Sequence, residues 1–164
     1  MRSLMIIRHA KSSWKDSSLD DFDRPLNKRG KNDAPEMGQR LKKLGYFPDL
    51  MITSPARRAL DTCMIIAGKL GYPPDEVQQD ERLYLAGSGE ILDVLREVDD
   101  LWLNVAIFGH NPGLTSFANR LTGSRIDNIP TCGIVSVALD ISSWSDLEFG
   151  TGEKRFFDFP KNRK

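Results

Sequence analysis

The chain has 164 residues, 40% of them hydrophobic and 28% charged, with 23 Lys and Arg balanced by 23 Asp and Glu. Such a length suits one ordinary domain, here expected to span residues 1–164, that buries roughly two thirds of its unfolded surface, and the balanced charge offers no global field for nucleic acid or an anionic membrane. No apolar run approaches the ~20 residues of a membrane helix, and residues 4–7 are too short for a secretory core and lack a small-residue cleavage site, so a cytoplasmic protein is expected.

In chain order, short apolar runs alternate with longer segments of 3.6-residue period, which indicates an α/β fold. Residues 4–7, Leu-Met-Ile-Ile, read as a buried strand, with Arg8 and His9 directly at its carboxyl end. Continuous hydrophobicity of this kind marks parallel strands covered on both faces. Ala34, Met37, Leu41 and Leu44 then make one helical stripe. Pro35 leaves two starts open, an Asn27 cap or an Asp33 cap with Glu36 three residues on. Residues 50–53 form a second strand, after which Ser54 and Pro55 supply a cap and a first-turn proline. Ala56, Ala59, Leu60, Cys63, Met64, Ala67 and Leu70 recur on one face of the ensuing helix until Gly71 stops it. Ser88 caps a third helix with Ile91, Leu92, Leu95 and Val98 inward. Residues 105–108 are a third buried strand with His110 at its end, and Asn111-Pro112 opens a fourth helix with Leu114, Phe117, Ala118 and Leu121 inward before Gly123. Residues 134–139 and 155–159 read as further strands, candidates for the sheet's edge. Cys63 and Cys132 lack metal-ligand spacing, and Cys63 lies on an apolar stripe, so both are expected as buried thiols.

The chain contains two histidines, His9 and His110, each at the carboxyl end of a buried strand. Ligands of open α/β sheets bind beyond those ends, so neighbouring strands would point both rings into one crevice. Arg8 precedes His9, and Arg57-Arg58 sits in the first turn of the helix that leaves the second strand. A guanidinium donates two parallel hydrogen bonds to phosphate oxygens, and free N–H groups at the helix starts by Ser54-Pro55 and Asn111-Pro112 also favour an anion. An imidazole among such cations stays neutral near pH 7 and can attack phosphorus as a nucleophile. A loose phosphoryl-transfer transition state then needs positioning and charge stabilisation, which Arg8, Arg58 and His110 can supply without a metal. No cofactor is implied either: the chain has no G-x-x-x-x-G-K-[ST], H-E-x-x-H or Cys-x-x-Cys, and Gly87-Ser88-Gly89 and Gly150-Thr151-Gly152 lack a third glycine.

These residues fall into motifs that resemble those of the histidine phosphatase superfamily. Its Arg-His-Gly tripeptide reads Arg8-His9-Ala10 here. The SixA-like phosphohistidine phosphatase branch often carries Arg-His-Ala-Lys-Ser and Asp-Arg-Pro-Leu, matched by Arg8-His9-Ala10-Lys11-Ser12 and Asp23-Arg24-Pro25-Leu26, with Gly30 shortly after. Ser-Pro-x-x-Arg-Ala-x-x-Thr appears as Ser54-Pro55-Ala56-Arg57-Arg58-Ala59-Leu60-Asp61-Thr62, and Gly-His-Asn-Pro as Gly109-His110-Asn111-Pro112. The matches keep the family's order from residue 4 to about residue 122. The resemblance implies a phosphoglycerate-mutase-like three-layer α/β/α sandwich with a mostly parallel central sheet. It also implies His9 as the phosphorylated nucleophile, Arg8, Arg58 and His110 as the residues holding the phosphate, and Arg24 at the pocket's rim. Arg58 is selected over Arg57.

Mutases and many phosphoesterases of the superfamily carry a glutamate in a Leu-x-Glu segment as proton donor to the leaving group, and the corresponding Leu83-Tyr84-Leu85 has Leu85 in the acid's place. An alkoxide leaving group needs that proton, typically worth about a hundred-fold or more, whereas an imidazole departing from phosphohistidine can carry a proton on its own ring. Asp80, Glu81, Asp20, Asp21 and Asp23 remain as acids within reach of the site. The chain has little beyond the core to cover its pocket, which suits phosphate displayed on another protein. The expectation is a phosphatase that removes phosphate from phosphohistidine on a partner, a phosphorelay or phosphocarrier domain, by analogy with the branch. Competing readings are a general phosphomonoesterase of small metabolites or of phosphoserine and phosphothreonine, a mutase, and a non-catalytic phosphoprotein-binding module. A two-histidine metal site would need carboxylates or thiols that the motifs do not supply.

Overall fold

The computed structural model describes residues 1–162. Its strands are β1 (Arg2–Arg8), β2 (Leu50–Thr53), β3 (Gln78–Gln79), β4 (Asn104–Gly109), β5 (Ile134–Leu139) and β6 (Gly152–Asp158), and its helices α1 (Lys28–Lys43), α2 (Arg57–Leu70), α3 (Ser88–Arg96) and α4 (Gly113–Thr122). The strands form one sheet in the order β3-β2-β4-β1-β5-β6. β3, β2, β4 and β1 are parallel, and β5 runs against both of its neighbours. Side chains alternate across a strand, and that period decides the layers. Leu4 and Ile6 of β1, with Val105 and Ile107 of β4, pack into a core under α3 and α4, while Met5, Ile7, Ala106 and Phe108 pack into a second core under α1 and α2. Two apolar layers on one sheet make the three-layer sandwich. Among the described residues no helix is long and apolar enough to cross a membrane.

α1 starts at the Asn27 cap, whose side chain accepts from the Gly30 N–H at 2.8 Å, and runs on through Pro35. Only glycine fits at position 30, because a Cβ there would lie 2.1 Å from the Lys11 carbonyl oxygen. Leu44, read as inward, follows the last helical residue and is 67% exposed. α2 begins two residues later than Ser54-Pro55 implied, at Arg57, and the Ser54 hydroxyl accepts instead from the Ala56 N–H at 3.2 Å. α3 is capped by the Glu90 carboxylate reaching back to the Gly87 N–H at 3.0 Å, not by Ser88. β5 is no edge strand: it lies between β1 and β6 with all its residues buried, which explains why five of its six residues are apolar. Both cysteines are free and buried, and burial pushes their thiols up.

Candidate active site

Parallel pairing of β1 with β4 aligns Arg8 with Gly109, so the next residues, His9 and His110, stand abreast beyond the carboxyl ends. Their ring centroids are 5.2 Å apart. The His9 N–H donates to the Gly109 carbonyl at 3.1 Å and the Cys132 N–H donates to the His9 carbonyl at 2.9 Å, which holds this backbone from both sides. β2 brings Ser54 alongside, its N–H donating to the Phe108 carbonyl at 3.0 Å and its Oγ 2.8 Å from His110 Nε2. The following turn delivers Arg58, 4% exposed, whereas Arg57 is exposed and faces Asp61 at 3.6 Å. Helical period separates them, since Arg58 and Thr62 share the buried face of α2. Thr62 Oγ1 donates to the Arg58 carbonyl at 2.7 Å and accepts from the Ala10 N–H at 2.9 Å, tying α2 to the turn after β1.

His9 Nδ1 lies 2.7 Å from the Ala10 carbonyl oxygen. A carbonyl only accepts, so Nδ1 carries the proton and Nε2 keeps its lone pair. Burial pushes His9 down to about 4, with Arg58, Arg8 and Arg24 adding to burial and the Ala10 bond opposing it. Burial, then His9 and Arg58, pushes His110 down to about 3. Both rings are therefore neutral at pH 7. Unfolded histidines titrate near about 6.5, so below that pH the unfolded chain binds more protons, and the stability these rings contribute is full above pH ~6.5 and lost on acidification toward the folded values. The melting temperature is expected to fall steadily between about pH 6.5 and about pH 4. A melting temperature independent of pH in that window would contradict a buried neutral pair.

Arg8 is half-buried, donates from Nη1 to the Ile129 carbonyl at 2.9 Å, and has an Nε without a partner among the described residues. Burial and the neighbouring Arg58 push its guanidinium down, which marks surroundings short of negative charge. Arg58 commits two of its five N–H donors to Asp21, Nη1 to the carbonyl at 2.6 Å and Nη2 to Oδ2 at 2.9 Å. The Tyr84 hydroxyl donates to the same Oδ2 at 2.7 Å, and Arg24 Nη1 donates to Oδ1 at 2.8 Å. Burial alone would raise Asp21, but the bonds from Tyr84, Arg58 and Arg24 outweigh it and hold the carboxyl down at about 2. Arg24 also donates to Ser12 Oγ and the Ser13 carbonyl, and its guanidinium lies 3.3 Å over the Trp14 ring. The Tyr84 ring stands edge-on to His110 at 5.5 Å.

His9, His110, Arg8 and Arg58 thus meet at the carboxyl ends of β1, β2 and β4, and Arg24 joins them through Asp21 from the loop that precedes α1. Of the acids within reach in the sequence, Asp21 enters the site, while Asp80 pairs with Arg82 at 2.8 Å and Asp20, Asp23 and Glu81 are exposed. Sequence reasoning missed Tyr84, which sits in the segment noted for its leucine; Leu85 itself is 64% exposed with φ of 53°. One signal was present in Gly113, where a Cβ would come 1.8 Å from the Ala86 carbonyl oxygen, so a glycine is required for this segment to lie against α4. Among the described residues no group of three or more His, Cys, Asp or Glu side chains could hold a metal ion.

The model of the histidine phosphatase superfamily (branch 1) matches residues 4–90, which include most of β1 and Arg8, His9, Arg24 and Arg58. The chain belongs to the histidine phosphatase superfamily. That membership supports a hydrolase with phosphatase activity. An uncharacterized chloroplastic protein of Arabidopsis thaliana is 31% identical to this histidine phosphatase over 153 residues, 88% of this chain and 70% of that one. The 2,3-bisphosphoglycerate-dependent phosphoglycerate mutase of Brucella ovis is 35% identical over 92 residues, 55% of this chain and 45% of that one. In fold, the chain is similar to the protein histidine phosphatase SixA complexed with tungstate, with a TM-score of 0.84 at 22% identity over 99% of each chain.

Proposed function

We propose that this histidine phosphatase removes phosphate from phosphohistidine on a partner protein, with His9 as the nucleophile. The observation that carries this choice is Asp21, the acid that reaches the site, held ionised at about 2. It has no proton to give a leaving alkoxide at pH 7. Phosphohistidine protonated on its outer nitrogen leaves as neutral imidazole and asks for no such donor.

His9 Nε2 gives its lone pair to phosphorus while the substrate's P–N bond breaks and its electrons return to the departing imidazole. Arg8, Arg58 and His110 stabilise the phosphoryl oxygens during this transfer. Water then attacks the phosphorylated His9, the P–Nε2 bond breaks with its electron pair returning to Nε2, and the proton from water leaves with the phosphate or to solvent. A phosphorelay or phosphocarrier domain is the substrate class that fits.

The stretch shared with the phosphoglycerate mutase favours a second reading, a phosphoesterase of small metabolites, but Leu85 stands where that chemistry places its acid. A side-by-side assay separates the two. The expected kcat/KM on a chemically phosphorylated histidine domain exceeds that on a serine phosphoester by about a hundred-fold or more. Equal or reversed preference would establish the phosphoesterase instead.

A further inference from the structure

We infer that the groove between the 13–15 turn, the start of α1 and the 160–161 turn docks an acidic face of the phosphoprotein substrate, an inference that rests on the function proposed above. The groove measures about 1280 Å³ and presents Lys15, Lys28, Arg29, Lys31 and Lys161 against Asp33 and Glu36. Both acids are already matched, Asp33 by Arg29 at 3.4 Å and Glu36 by Arg40 at 3.3 Å. The lysines are not, since among the described residues every ion pair is made by an arginine. A chain with a net charge of zero thus keeps four uncompensated cations on one groove.

Two of these lysines and Arg29 stand where helix electrostatics disfavours them. Lys28, Arg29 and Lys31 open α1 at its positive end, and its first turn holds no acid. Arg29 is offset by its pair with Asp33, but Lys28 and Lys31 have no such partner among the described residues, and local rules of this kind are broken at functional surfaces. The far wall is fixed, because Arg40 donates to Asp158 and to the carbonyls of Phe159 and Pro160 and so pins the turn that carries Lys161. The near wall is the site's own loop: Ser13 lines the groove while its carbonyl accepts from Arg24, and Trp14, 76% exposed, stands between Ser13 and Lys15. Asp16, Asp20 and Asp23 of that loop do not line the groove. A domain that seats its phosphohistidine at His9 presents neighbouring surface to Trp14 and the lysines, and acids on that surface match them. A small metabolite has no second surface to place there.

The test is the double variant Lys28→Glu with Lys31→Glu. Glutamates suit a helix start, so the variant is expected to melt at or above the wild-type temperature, which excludes misfolding as the cause of any loss. The probes are an acidic histidine phosphocarrier domain, its phosphorylated form and p-nitrophenyl phosphate. At low salt the variant is expected to bind the unphosphorylated domain about ten-fold more weakly, to lose kcat/KM on the phosphorylated domain through KM, and to hydrolyse p-nitrophenyl phosphate unchanged. Equal binding by the two proteins, or no binding by the wild type, overturns the docking surface, and so does an equal loss on p-nitrophenyl phosphate. Tighter binding of duplex DNA or anionic vesicles through the same lysines also overturns it. Lysine-dependent binding without phosphate release leaves the docking surface standing and sinks the phosphohistidine reading.

Discussion

His9→Ala is expected to lower turnover of every substrate, p-nitrophenyl phosphate included, by about 10⁴-fold or more. The size follows from the role: the residue removed is the atom that bonds to phosphorus, not one that improves its placement. Its Nε2 is the lone pair left free once Nδ1 donates to the Ala10 carbonyl at 2.7 Å, whereas the Nε2 of His110 is engaged with Ser54 Oγ at 2.8 Å. The fold is expected to survive, since a neutral ring 7% exposed is replaced by an apolar side chain and no charge loses its partner. The variant should also lose less stability on acidification, because one of the two histidines pushed below its ordinary value is gone. Steady-state assays beside circular-dichroism melts check both statements. Activity within ten-fold of wild type would mean that another group takes the phosphate.

Arg58→Lys is expected to cost about 10³-fold in kcat/KM, roughly what two charge-assisted hydrogen bonds contribute. Arg58 holds the Asp21 carbonyl and carboxylate with two donors and has three more for phosphate. An ammonium is a point charge without that fork, so it cannot keep Asp21 in place and grip the phosphoryl oxygens together. Arg57→Lys supplies the control: that side chain is exposed, and a change of less than two-fold is expected from a surface pair. Kinetics on one small phosphate substrate suffice for the pair. Equal losses at the two positions would contradict the division that the buried face of α2 makes between them.

Much of this site is legible in the sequence because the strands that carry it are. Residues 4–7 and 105–108 are continuous apolar runs, and a histidine at the end of each can meet the other once the strands pair in parallel. The pairing in fact sets Arg8 opposite Gly109. Asp21 and Tyr84 were less legible for a physical reason: they meet across 63 residues through a hydroxyl and a carboxylate, and nothing in the polar 12–24 segment fixes which of its aspartates turns inward. Arg58 and Arg24 choose Asp21 by their geometry, which only the folded chain supplies. The start of α1 was open for a similar reason. Asn27 and Asp33 both satisfy local capping rules; in the fold Asn27 is the cap, with its own N–H bonded to the Lys11 carbonyl at 3.0 Å, a contact outside the helix that local rules do not contain. Leu44 fits the helical stripe by spacing, but the helix ends at Lys43, so the stripe's last member faces outward.

The most direct test of the account is to trap the enzyme during turnover of a radiolabelled phosphohistidine domain by rapid quenching and to map the label. The expected product is a phosphoenzyme that survives alkali and is lost in acid, labelled at His9 in wild type and absent in His9→Ala. Label on any other residue, or rapid turnover with no covalent phosphate at any time, would contradict His9 as the nucleophile.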